Sequence, residues 1–225
     1  MKSLAIDSAA SCMVIASRND DLTATLSLDI GMKQSQKILP AIDYVLKQLD
    51  MTPADLDFTA LTAGPGTFTG LRLAFSALKA IELAHDVPIY GIPSLDAYAF
   101  PFRNFGGTVV SVIDAKKDQF FAAVYKDGSC ILEAEDTTVE RIRDFLNSCN
   151  TENAIVVGPD AGIFSEALKE AGYKSAKHLP FQPNATESLF AIAEEMIEQK
   201  KEPLKDYDGP IYLRKSEAEI ALENK

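Results

Sequence analysis

The 225-residue chain has no tryptophan, two histidines and three cysteines, and each shortage removes a class of chemistry. Cys12, Cys130 and Cys149 form an odd set without CxxC spacing. That argues against a disulfide framework or a thiolate metal cage and suits a reducing cytoplasm. His85 and His178 stand in unrelated contexts, so the one-face histidine pair of a helical metal site cannot be built from them. No metal and no other cofactor is expected. No apolar run reaches the roughly 18 residues of a membrane helix. The opening MKSLAIDSAAS lacks the apolar stretch of a secretory signal. Basic charge is short as well: 22 Lys and Arg face 33 Asp and Glu, for a net charge of -11, and no basic block exceeds two residues. Proteins that grip nucleic acid neutralise phosphates with a basic face. Little or no direct RNA binding by this chain alone is therefore expected.

What is present is an ordinary globular composition, 47% hydrophobic and 24% charged. SLAIDS (3–8), CMVIAS (12–17) and LTATLSL (22–28) read as strands, with turn chemistry at Asn19-Asp20-Asp21. Ile38, Ile42, Val45 and Leu49 then recur at helical spacing, which puts Pro40 in or near the first turn. DFTALTAG (57–64) is a fourth strand leading into a helix at about 69–84. After Gly106-Gly107 the order restarts with TVVSVID (108–114), QFFAAVYK (119–126) and SCILEAE (129–135). A helix at about 138–147, the strand NAIVVG (153–158) and helices at about 161–171 and 186–199 follow. Three strands, helix, strand, helix, given twice, predicts an α/β protein of two ribonuclease-H-like lobes. A single doubly wound domain with an antiparallel extension is the competing architecture. The expected boundaries are 1–105 for the first lobe and 106–202 for the second, with 203–225 packing back on the first.

The segment TAGPGTFTGLRLAFSALKA (62–80) is the most informative. Gly64 and Gly66 permit a tight strand-to-helix corner, and Thr67 or Thr69 can cap the helix. Amides at such a helix start favour an anion, so Gly64 and Gly66 are candidate phosphate contacts; a plain corner without ligand is the alternative. Along the helix, Arg72, Ser76, Lys79 and Glu82 make one narrow polar stripe and apolar residues take the rest. A monomer's surface helix needs an apolar stripe of only about 100°. The second apolar side must therefore meet either the helix at 36–49 or another chain.

This segment closely resembles the GPG-S/T-FTGLR motif of the TsaB (YeaZ) family. LAIDSAAS (4–11), SQKILPAIDYVL (35–46), IPSLDAYA (92–99), VIDAKKDQFFAAVY (112–125) and PIYLRKSEAE (210–219) resemble further family blocks in the same order. Ser8 stands where threonine is usual, and Gln34 where many members have histidine at an exposed helix start. The resemblance implies the actin-like, sugar-kinase-like ATPase superfamily, whose lobes are each ribonuclease-H-like. It further implies a non-catalytic subunit that pairs with TsaD and with TsaE to form threonylcarbamoyladenosine on tRNAs reading codons that begin with adenosine. TsaC makes the carbamoyl donor separately. Members are also expected to form homodimers, through the helices matching 35–49 and 68–84. Ile38, Ile42, Val45, Leu71, Ala74, Phe75, Leu78 and Ile81 are the interface residues expected here, and Leu78→Glu would then abolish pairing while sparing the fold.

An enzyme in its own right, a kinase or a peptidase, is the competing function. Against it, TsaD carries a HxxxH metal pair on the helix matching 34–46, and no histidine lies there. VVGPDAG (156–162) departs from the Gly-Gly adenosine loop of ATP-using members. Asp7 and Asp114, at equivalent strand ends, are the remaining nucleotide candidates, placed to face each other across an inter-lobe cleft. Strand-end carboxylates also serve as caps and turn residues.

Overall fold

The computed structural model describes residues 1–151, 153–180 and 184–214. In chain order the elements are β1 (Lys2–Asp7), β2 (Met13–Asn19), β3 (Leu22–Leu28), α1 (Gln34–Lys47), β4 (Phe58–Gly64), α2 (Phe68–His85), β5 (Ile89–Pro93) and α3 (Ser94–Ala99). There follow β6 (Thr108–Lys116), β7 (Gln119–Lys126), β8 (Ser129–Thr137), α4 (Val139–Ser148), β9 (Ala154–Val157), α5 (Ala161–Glu170), β10 (Ala176–His178) and α6 (Thr186–Glu198). They divide into two units, Met1–Ala97 with Asn184–Pro210, and Tyr98–Pro183 with Ile211–Lys225.

Each unit is built on a five-stranded sheet, ordered β3-β2-β1-β4-β5 in the first and β8-β7-β6-β9-β10 in the second. In both, the opening three strands are antiparallel and the last two add in parallel. The duplicated ribonuclease-H-like order expected from the sequence is thus present, and the single doubly wound sheet is not. The hairpin turns match their residues. Lys126 pairs with Ser129, leaving Asp127 and Gly128 both at positive φ (50° and 78°), the geometry a two-residue turn needs to follow strand twist. Two short strands, β5 and β10, carry no alternation long enough to announce them.

Period-two alternation sends Leu4 and Ile6 of β1, with Met13 and Ile15 of β2, to one face of the first sheet. There α1 and α2 cover them in a core that also holds Leu61, Ala63 and Ile89. The other face presents Ala5, and the register sets it beside Ala16 on one side and Ala60 on the other. This row of small residues accepts α6, which packs on β1, β4 and β5. Arg18 of β2 fixes α6 through ion pairs with Glu187 and Glu194, and stacks its guanidinium 4.3 Å from the centre of the Phe190 ring. The expected boundaries change accordingly. Thr186–Glu198 was placed in the second lobe but belongs to the first unit, because its buried side is complementary to the alanine row. The following segment divides. Leu204 donates its N–H to Ile89 O (2.8 Å) in the first unit. Arg214 grips Asp136 with two bonds of 2.7 and 2.8 Å and also donates to Ala115 O and Gln119 in the second. The remainder of the tail, residues 215–225, lies outside the described residues.

Helix α1 is anchored near both ends. Gln34 donates its side-chain amide to Ser11 O (2.6 Å), and Ser17 donates its hydroxyl to Val45 O (2.7 Å). Gln34 is buried rather than exposed, which corrects the sequence expectation. Pro40 lies in the second turn, not the first, on the solvent side, where the bond it cannot make leaves only the Gln36 carbonyl to water.

The expected interface residues require the main correction. Ile38, Ile42, Val45, Leu71, Ala74, Phe75, Leu78 and Ile81 are each at most 8% exposed, all buried within this one chain. Seven of them form the core under and between α1 and α2. The second apolar side of α2 meets α1. Leu78, fully buried, is a fold residue: Leu78→Ala should cost about 2–5 kcal/mol, and Leu78→Glu more, through an unpaired buried charge. Urea unfolding checks this; a Leu78→Glu chain as stable as the parent would overturn the assignment.

Candidate functional site

The Gly-Pro-Gly corner joins β4 to α2 and lies against the turn that follows β1. Thr67 donates its N–H to Ala9 O (2.8 Å), and its hydroxyl lies 3.4 Å from Ser8 O. It occupies the helix N-cap position without making a side-chain cap bond. A Cβ on Gly66 would sit 2.5 Å from Ala9 O, and one on Gly70 would strike Ser8 O and the Thr67 hydroxyl. Gly64, at φ 116°, gives its N–H to the Ser94 hydroxyl (3.1 Å). These glycines are spent on backbone contact within the chain. At Gly66 and Gly70 the space their missing side chains leave is taken by Ala9 and Ser8 of the same chain.

Asp7 is 4% exposed at the end of β1. One carboxylate oxygen accepts from Ala185 N–H (3.3 Å), just before α6, and the other from the Thr62 hydroxyl and Ala9 N–H (both 3.4 Å). A carboxylate at a helix start is favoured by the exposed amides there. Asp7 therefore ties the β1 turn to α6, the capping role weighed for it from sequence. Ser8, next to it, buries its hydroxyl without a hydrogen-bond partner.

In the second unit Asp114 lies half-buried two residues before the end of β6 and is bridged by Lys116, whose ammonium lies 2.6 Å from it. The Asp114 N–H donates to the carboxylate of Asp160 (2.8 Å), the residue preceding α5. Burial, and secondarily the Asp114 charge, push the Asp160 carboxyl above its usual range, against the lowering pull of the Asp114 N–H and Lys116. Within VVGPDAG, Gly158 has φ 103° and its absent Cβ would strike Val112 O. This loop, too, is closed by backbone packing.

Sequence reasoning missed the outward sides of the two covering helices. On α1, Leu39 is 61% exposed and Tyr44 53%; on α2, Leu83 is 84% exposed. Leu73 is half-buried, and Arg72, Ser76, Ala80 and Ala84 are exposed beside it. A count of residues at helical spacing relative to the buried set would have found them. His85 is exposed in the last turn of α2, whereas His178 lies on β10. Among the described residues no three His, Cys, Asp or Glu gather closely enough to hold a metal ion, and no helix is long and apolar enough to cross a membrane.

Residues 31–222 match the family model described as TsaD, tRNA N6-adenosine threonylcarbamoyltransferase. The chain belongs to this family. Within it, the chain is 28% identical to the tRNA threonylcarbamoyladenosine biosynthesis protein TsaB of Bacillus subtilis, over 97% of this chain and 96% of that one. It is 27% identical to TsaB of Escherichia coli over the whole of both chains. The family assignment places it in the biosynthesis of threonylcarbamoyladenosine on tRNA. Among solved structures, an uncharacterized protein with similarity to peptidase YeaZ from Pseudomonas aeruginosa superposes with a TM-score of 0.77 at 21% identity, covering 95% of this chain and 99% of that one. A Bacteroides thetaiotaomicron protein of actin-like ATPase fold gives 0.50 at 10% identity, covering 84% and 95%. The fold is that of the actin-like ATPases.

Two predictions follow from the corners. Gly70→Ala would ordinarily stabilise a helix by up to about 1 kcal/mol. Here the clash with Ser8 O should reverse the sign and destabilise by about 2 kcal/mol or more, with Gly66→Ala behaving alike; a raised melting temperature in either variant would refute the close packing. Asp160→Asn keeps an oxygen for the Asp114 N–H and removes a carboxylate whose raised pKa penalises the folded state at neutral pH. The variant should match or exceed the parent at pH 7, within about 1 kcal/mol. Any advantage should shrink as pH falls through the raised folded value towards the ordinary 3.8, because the parent then gains its proton more readily folded than unfolded. Melting curves between pH 7 and 4 measure the difference; an advantage that widens on acidification would show the opposite shift.

Proposed function

We propose that this chain is a non-catalytic, dimerising subunit that docks on and activates TsaD, with TsaE as a further partner, in forming threonylcarbamoyladenosine on tRNAs that read codons beginning with adenosine. The carrying observation is the outward side of the α1–α2 pair, where Leu39, Tyr44 and Leu83 stand in water. Large side chains exposed on packed helices lose water favourably when a second chain covers them, by about 25 cal/mol per Å² of apolar area. The same face serves self-pairing when the chain is alone. Supporting the accessory role, the helix matched to the metal-binding helix of TsaD carries no histidine, and the corner glycines and Asp7 are used in holding the fold.

Reconstitution with TsaC, TsaD, TsaE, threonine, bicarbonate and ATP tests this reading. Modification should require the chain in stoichiometric amount, and full modification without it would remove the case. The double variant Tyr44→Lys with Leu83→Lys places cations in last helical turns, where the helix dipole tolerates them. It should keep its melting temperature while weakening both self-association and TsaD binding by about tenfold or more, roughly 1.4 kcal/mol. Unchanged association in sedimentation and pull-down would exclude this face.

A further inference from the structure

The second unit contains a cavity of about 520 Å³ lined by Phe105, Gly106, Gly107, Asn153–Ile155 and Lys177–Leu179, at the start of β6 and β9 and beside β10. That volume lies in the range of small-molecule sites. Its wall is shaped by one missing side chain. A Cβ on Gly107 would sit 3.0 Å from the Phe105 ring, so glycine there lets the ring fold over its own backbone. Phe105 stays 48% exposed and presents an aromatic surface to the cavity. Ile155 and Leu179 add apolar surface.

Three polar side chains stand around this space, those of Asn153 and Lys177 exposed to water and that of His178 half-buried. Among the described residues, the Lys177 ammonium has no ion-pair partner and the Asn153 amide makes no hydrogen bond. Among the described residues, His178 buries its Nδ1 without a hydrogen-bond partner. Lys177 is exposed and carries its positive charge at the edge of the cavity. An orphaned buried nitrogen costs about 1–3 kcal/mol.

We propose that this cavity binds a small planar aromatic anion, its ring stacked on Phe105 and its anionic group held by Lys177 with Asn153. A nucleoside monophosphate and an aromatic carboxylate share this chemistry. The proposal is independent of the docking face, which lies on the first unit.

The test is calorimetric or NMR titration of the intact chain with adenosine monophosphate and, separately, with indole-3-acetate. Adenosine, indole and inorganic phosphate supply the ring or the charge alone. At least one of the two anions should bind saturably with Kd below about 1 mM, and the one that binds tighter identifies the source. The separated parts should bind at least about tenfold more weakly. Lys177→Gln and Phe105→Ala, both at exposed side chains and checked for unchanged melting, should each weaken binding about tenfold. Absence of saturable binding by both anions, phosphate binding as tightly as either, or affinity unmoved by both substitutions would overturn the proposal.

Discussion

The first unit hangs on a single backbone approach, the turn after β1 pressed against the start of α2. Because Gly66 and Gly70 lack side chains, Ala9 O can reach the Thr67 N–H and the helix can lie directly on Ser8. That contact sets where α2 leaves the sheet, and so where α1 must lie to cover Ala74, Leu78 and the sheet beneath them. The opposite side of the same turn carries Asp7, whose carboxylate receives the Ala185 N–H and positions α6. One short turn thus registers helices on both faces of the sheet. The glycine-rich corner acts through close packing, where an open loop of similar composition would act through its amides.

Much of this was legible in the sequence because the signals are local. Alternation in β1, β2 and β4, turn residues at Asp20 and Asp127-Gly128, and helical spacing from Ile38 to Leu46 each act within a few residues. What escaped depends on partners distant in the chain. No local pattern says that Thr186–Glu198 belongs on a row formed by Ala5, Ala16 and Ala60. Arg214 gives no sign of clasping Asp136, and Gln34 looks like any polar helix start until Ser11 O is placed beside it. β10 is too short for periodicity to register.

The expected site failed in an instructive way. Periodicity showed correctly that α2 has two apolar sides, but it cannot say which neighbour covers the second. Ribonuclease-H-like topology supplies that neighbour internally, as α1 on the same sheet face. The residues of strongest helical spacing were consequently those least able to meet another molecule. Leu39, Tyr44 and Leu83 fall outside the buried stripe and read as incidental surface leucine and tyrosine until the burial of their neighbours is known.

The composition of that outward side bears on how a partner would use it. Obligate interfaces resemble a divided core and are strongly apolar, whereas exchangeable ones combine a few large anchors with polar surroundings. Here the exposed leucines and Tyr44 are interleaved with Lys37, Asp43, Lys47, Arg72 and Ser76, and Lys47 pairs with Asp43 within α1 itself. A face of this kind can be solvated without collapse. It therefore suits a chain that, on the proposed reading, pairs with itself and releases that pairing for TsaD: the anchors supply affinity, and the charged residues keep the uncovered helices soluble during the exchange.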